Sequence, residues 1–177
     1  MVMILLAAIQ PGRRMAKRNK GFTMVEMMVV IVVIGILSLM AIPSYQGRMV
    51  RLQIEAAIPL ADIVKKPIAA AWTAVQIFPT DNAAAGLPAS DKIVNNSVSS
   101  VAVQDGAIHI TFGNRAFGAI KGKILTLRPA VVEDAPVVPV TWVCGNATGP
   151  DKMTVKGVNQ TNIKTEYLPL ACQGPAT

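Results

Sequence analysis

The spacing of apolar residues changes twice along this chain. From Phe22 to Ile42 the sequence FTMVEMMVVIVVIGILSLMAI is apolar at almost every position, 21 residues with the single charge Glu26. At about 1.5 Å per helical residue this stretch reaches roughly 30 Å, the thickness of a bilayer's hydrocarbon core, so it predicts a membrane-spanning helix. Beyond Pro43, Val50, Ile54, Ala57, Ile58, Ala61, Val64, Ile68, Ala71, Trp72 and Val75 recur at steps of three and four. Arg48, Arg51, Glu55, Asp62, Lys66 and Thr73 follow the opposite face. That pattern predicts an amphipathic helix lying on a core. Pro43 predicts a kink or local melting, and Pro59 and Pro67 predict bends or a break near 58 and 66, since each removes a helical hydrogen bond.

After about Val75 the period shortens. Residues 78–96, with Pro79, Asp81-Asn82, Gly86 and Pro88, read as a turn-rich connector. Val101 and Val103 then alternate with polar neighbours, Asp105-Gly106 is a two-residue hairpin turn, and Ile108, Ile110 and Phe112 alternate with His109 and Thr111, placing His109 on the outer face. Lys123 to Arg128 reads as a third strand burying Ile124 and, further along, Leu125 and Leu127, and Val138 to Cys144 as a fourth carrying Trp142. The expected fold class is α+β: one long N-terminal helix, half membrane-spanning and half amphipathic, packed on a four-stranded antiparallel sheet. The expected organisation is a leader over 1–21, an apolar helix over 22–42, an amphipathic helix over 43–76 and a globular head over 77–177.

Composition sharpens this outline at two points. The chain of 177 residues is 52% hydrophobic yet only 15% charged, too apolar for disorder and unusually apolar for a wholly soluble domain. Its net charge of +7 is local. Arg13, Arg14, Lys17, Arg18 and Lys20 precede the apolar run without an acid among them, and the remainder carries 12 basic against 10 acidic residues. Such a block should stay in the cytoplasm and send the residues after Ile42 across the membrane, which in a diderm bacterium means the periplasm. No A-x-A-like cleavage site follows the run, so it is expected to be retained.

Cys144 and Cys172, with His109 as the single histidine, cannot form a four-ligand zinc site. A disulfide is the reading for a head outside the cytoplasm, with two unpaired buried thiols as the alternative.

The residues Lys20-Gly21-Phe22-Thr23-Met24-Val25-Glu26, followed by the apolar run and Ala41-Ile42-Pro43-Ser44-Tyr45, resemble the class III signal and N-terminal helix of type IV pilins, in particular the type IVa group. The resemblance implies a prepilin cut between Gly21 and Phe22 by a membrane peptidase that also N-methylates Phe22. It implies that Glu26 neutralises the Phe22 amine of a neighbouring subunit, which would give a buried carboxylate its partner. It further implies a helical homopolymer assembled by an inner-membrane machine and secretin, held in the inner membrane with a periplasmic head before it becomes an extracellular fimbrium. Adhesion, twitching motility or DNA uptake would be its uses. The hairpin, the Lys121-to-Leu127 strand and Trp142-Val143-Cys144 opening a disulfide-bounded loop are similar to the pilin head. One departure is the long leader; a start at Met15 would leave the short basic leader usual for the group.

No catalytic constellation is present, and no cofactor is expected. Gly118 to Lys123 resembles a phosphate loop only superficially, because Ile124 stands where a hydroxyl is needed. Sequons begin at Asn95, Asn146 and Asn159 and are read as chance occurrences. The alternative to a major filament subunit is a minor or competence pilin whose head captures DNA through Lys121, Lys123, Arg128, Lys152, Lys156 and Lys164, although Glu133, Asp134, Asp151 and Glu166 lie among them. A bitopic membrane protein that never assembles is the third reading.

Overall fold

Helix α1, Met24–Val75, is the longest element. The computed structural model describes residues 21–175, except for the side chains of residues 40–44. The expected leader up to position 20, with its suggested start at Met15, therefore lies outside the described residues. The chain divides into two compact units, Met1–Met40 and Ala41–Thr177.

In the first unit the chain enters α1 through Thr23, whose Oγ1 accepts the backbone N–H of Glu26 at 3.2 Å. This is an N-cap: it satisfies one of the donors that the first helical turn leaves open. From Met24 to Leu39 the helix has no polar face, and the Ser38 hydroxyl donates to the Ile34 carbonyl at 2.8 Å rather than pointing away unpaired. Among the described residues no helix is long and apolar enough to cross a membrane. The span expected over Phe22–Ile42 is thus not seen among them, and the side chains of Met40 to Ile42 lie outside the described residues.

In the second unit α1 buries Val50, Ile54, Ala57, Ala61, Val64, Ile68 and Trp72, the stripe expected from the period. Ile58 and Ala71 of that stripe are only half-buried, and Val75 is exposed, because Gln76 turns left-handed at φ 55° and ends the helix. The break expected near 58 and 66 does not occur; α1 continues through Pro59 and Pro67. Proline in a helix interior costs about 3 kcal/mol. Each fully buried aliphatic side chain flanking these sites, such as Ile54, Val64 and Ile68, stabilises by about 1.5–3 kcal/mol, and the stripe outweighs the defects.

The strands are β1 (Val98–Gln104), β2 (Ala107–Phe112), β3 (Ile124–Val131), β4 (Thr141–Cys144) and β5 (Thr154–Val155). They form one antiparallel sheet in the order β1-β2-β3-β4, with β5 also pairing with β3. Asp105 and Gly106 join β1 to β2 with φ of 48° and 81°, the doubly left-handed turn that suits twisted hairpins. A Cβ on Gly106 would lie 2.6 Å from the Phe78 ring, so the turn also requires glycine for space.

Val101, Val103, Ile108, Ile110, Phe112, Leu125 and Leu127 face the core with the α1 stripe. The phase of β3 differs from expectation: Leu125 and Leu127 are its core residues and Ile124 is only half-buried. The register pairs Thr126 with His109, so both occupy the opposite face.

The disulfide-bounded segment from Gly145 to Ala171 contains β5 and a 3-10 turn at Thr165–Tyr167. Between them the chain crosses the outer face of the sheet. The Lys156 N–H donates to Pro129 O at 2.8 Å, Gln160 Nε2 donates to Gln104 Oε1 at 2.8 Å, and the Asn162 N–H donates to Ile124 O at 3.1 Å. His109, expected on the outer face, is there but is only 5% exposed, because this strap covers it.

Candidate assembly site and head surface

The residues expected to govern assembly sit at the start of α1. Gly21, Phe22 and Thr23 precede the helix, and Glu26 lies in its first turn, where a carboxylate complements the positive end of the helix dipole. A Cβ built on Gly21 meets nothing within 4 Å. Packing among the described residues therefore places no demand for glycine at this position.

Phe22 is 74% exposed and Met24 87%, and exposure of large apolar side chains continues through Leu39. Val25, Met28, Val29, Val32 and Val33 line a shallow apolar groove of about 310 Å³ along one side of the helix. Soluble monomers rarely leave so large a contiguous apolar surface in water, and this one needs a cover, either acyl chains or other helices.

Thr23 is the functional position that periodicity alone misses. Its signal is Thr23-Met24-Val25-Glu26, the T-x-x-E spacing of a capping box immediately before an apolar run. The structure realises the half in which the threonine side chain caps the Glu26 amide.

On the head, Cys144 at the end of β4 and Cys172 are joined as a disulfide. The Asn146 N–H donates to the Cys172 carbonyl at 3.0 Å and reinforces the closure. A Cβ on Gly145, at φ 55°, would stand 2.7 Å from that same carbonyl.

The six basic residues considered for DNA do not form one free cluster. Lys156 pairs with Glu133 at 2.6 Å and Lys164 with Glu166 at 3.7 Å. Arg128 turns its guanidinium inward, donating to the carbonyls of Gly145 and Ala147 at 3.3 and 3.4 Å. Lys121 and Lys123 lie in the turn before β3, and Lys152 in the loop before β5. The hydrogen bond and charge of Lys156 hold the Glu133 carboxyl below the ordinary carboxylate range. Burial lowers the His109 imidazole below its usual value. Among the described residues no group of His, Cys, Asp and Glu could hold a metal ion.

A helix-and-sheet head closed by a C-terminal disulfide, behind an apolar helix with a capped and acidic first turn, defines a filament-subunit architecture. The family described as Pilin (bacterial filament) matches residues 50–173, and the prokaryotic N-terminal methylation motif matches residues 16–42. The type IV major pilin protein PilE of Neisseria gonorrhoeae is 35% identical over 162 residues, 88% of this chain and 94% of that protein. A fimbrial protein of Neisseria meningitidis serogroup A is 33% identical over 168 residues, 90% of this chain and 96% of that protein. The fimbrial protein EcpC of Eikenella corrodens is 32% identical over 162 residues, covering 90% and 94%. The chain belongs to the pilin family. It is a structural subunit of a pilus and not an enzyme, and the resemblance to type IV pilins is borne out.

Proposed function

We propose that this chain is a major-type subunit of a type IV pilus, cut between Gly21 and Phe22, N-methylated on Phe22, and polymerised through the helix that follows. The observation that supports this most directly is the apolar surface on every side of α1 from Met24 to Leu39, in which the one hydroxyl is already satisfied internally. A surface of this kind suits a bilayer before assembly and a bundle of like helices afterwards, because neither requires a polar partner of it. Glu26 is the exception, and in the bundle it takes the Phe22 amine of a neighbouring copy as its counter-charge.

Before assembly the apolar helix holds the chain in the inner membrane with the head in the periplasm. The prepilin peptidase and methyltransferase, the inner-membrane assembly machinery and the secretin are its partners in turn. The finished filament is extracellular and serves adhesion, twitching motility or DNA uptake.

The test is to shear filaments from cells and determine the N-terminal sequence and intact mass of this chain in that fraction. An abundant species beginning at methylated Phe22 supports the proposal. The uncut chain confined to membranes, with none in the filament fraction, refutes it. Gly21→Lys should block the cut, whereas Glu26→Ala should be cut normally yet yield few filaments; wild-type piliation in Glu26→Ala would remove the role assigned to that carboxylate.

A further inference from the structure

The strap that crosses the sheet is fastened to a buried histidine. His109 Nδ1 lies 3.0 Å from Thr126 Oγ1, and that hydroxyl also accepts the backbone N–H of Gln160 at 3.0 Å. The Thr126 N–H in turn donates to Thr161 Oγ1 at 3.0 Å. Gly157, at φ 83°, brings the strap so close to β2 that a Cβ there would lie 2.7 Å from the Ala107 Cβ. His109 Nε2 is buried with no partner among the described residues.

We propose that Lys156–Asn162 is an acid-released strap whose latch is the buried His109–Thr126 pair. In the neutral tautomer with its proton on Nε2, the Thr126 hydroxyl donates to Nδ1 and accepts from Gln160, so the latch is satisfied at that end. Protonation turns both ring nitrogens into donors. Nδ1–H then shares the Thr126 oxygen with the Gln160 N–H, the Thr126 proton is turned away from the ring and loses its acceptor, and the ring carries a full charge in a buried site where Nε2–H has no partner among the described residues. Opening the strap returns the imidazolium to water.

The surroundings offer the imidazolium no compensation. By strand alternation the same face carries Ala107 and Thr111 from β2, and Ser100, Ala102 and Gln104 from β1, none of them titratable. From β3 it carries Thr126 and the positive Arg128. The strap adds Lys156, already paired with Glu133 at 2.6 Å, and otherwise Gly157, Val158, Asn159, Gln160, Thr161 and Asn162. Asp105 stands in the exposed β1–β2 turn.

The direction of the pH effect follows from linkage. Burial lowers the pKa of His109 in the closed strap below 6.5, while an open strap exposes the ring to water. Closure is therefore fully favoured above that value and weakens as pH falls through the lowered one, by up to about tenfold in the open-to-closed ratio per pH unit. Glu133 titrates below its ordinary 4.5 and does not act in this window.

The experiment is amide hydrogen exchange on the mature full-length chain in detergent, from about pH 7.5 to about pH 5, corrected for intrinsic rates. Protection at Gln160 and Asn162 should fall by up to about tenfold per pH unit while amides within β1 and β2 keep theirs. His109→Gln should abolish the pH dependence at the strap. Flat wild-type protection, an equal decline in His109→Gln, or a parallel decline in β1 and β2 would overturn the proposal. So would an NMR titration of the wild-type His109 ring with a midpoint at or above 6.5.

Discussion

Replacing Asn82 with alanine should destabilise the head more than any surface substitution in the connector. The residue lies in a turn-rich segment but is 8% exposed. Its Nδ2 donates to Val101 O at 3.1 Å and Pro88 O at 3.0 Å, while its Oδ1 accepts the Val103 N–H at 2.7 Å. Strand β1 pairs with β2 on one side only. On its other side the Asn82 amide serves as a one-residue strand, meeting an acceptor and a donor that would otherwise face no partner. Truncation leaves the Val101 carbonyl and the Val103 N–H buried and unpaired at about 1–3 kcal/mol each, or roughly 2–6 kcal/mol together. That is a large part of the stability of a small domain, which is about 5–15 kcal/mol. With a urea slope of about 1–3 kcal/mol per molar, the midpoint should drop by on the order of 1–2 M at unchanged slope. Asn82→Asp should be comparably harmful, because it keeps the acceptor for Val103 but sets a carboxylate oxygen against two carbonyls. A loss under about 0.5 kcal/mol in Asn82→Ala would show that water replaces the amide and would refute the reasoning.

Two further outcomes follow from the same structure. Thr23→Ala removes the cap on the Glu26 amide and should destabilise the first turn of α1 by about 1 kcal/mol; exchange at that amide should quicken about fivefold, and an unchanged rate would mean that the cap is not formed in solution. Reducing the Cys144–Cys172 disulfide releases a loop with a sequence separation of 28 and should lower head stability by about 3–4 kcal/mol. Thermal unfolding with and without reductant measures this, and equal midpoints, with protease resistance unaltered, would count against a stabilising role.

What could be read from the sequence was what repeats. The stripe from Val50 to Trp72 lies on the core because steps of three and four leave little choice of face. Asp105-Gly106 turned as expected because few residues tolerate two successive left-handed conformations. Gly21, Phe22 and Glu26, proposed for cleavage and assembly, were legible as a motif rather than as geometry. Where patterns were ambiguous, partners decided. In Ile124-Leu125-Thr126-Leu127 apolar residues occupy both phases, and only the pairing of Thr126 with His109 fixes which leucines enter the core. Pro59 and Pro67 do not break the helix, because a local defect is outweighed by the burial on either side of it. The strap was unreadable for another reason: Asn159, Gln160, Thr161 and Asn162 have no period, and their order comes from hydrogen bonds to residues distant in the chain. The basic residues considered for DNA show the converse, since a charge count cannot reveal that Arg128, Lys156 and Lys164 are already engaged.

The role proposed for Glu26 gains its force from where the carboxylate lies in the isolated chain. It is exposed, it sits in the first turn of a helix, and its backbone amide is capped by Thr23. In that state the carboxylate gains only the modest stabilisation of the helix dipole, about 0.3–1 kcal/mol, which is small beside the cost of burying a charge. The need for a partner arises when the surrounding side chains are covered. Burying an uncompensated carboxylate costs several kcal/mol, which would cancel the burial of two or three aliphatic side chains. A partner must then bring positive charge to the same depth, and the amine released by a cut after Gly21 is four residues from Glu26 along the same chain. In the proposed pairing that amine comes from a neighbouring copy displaced along the filament axis. On this reading the cut and the charge are one device: a chain still carrying its leader has no Phe22 amine to offer, and bringing its helix into the bundle would bury Glu26 uncompensated.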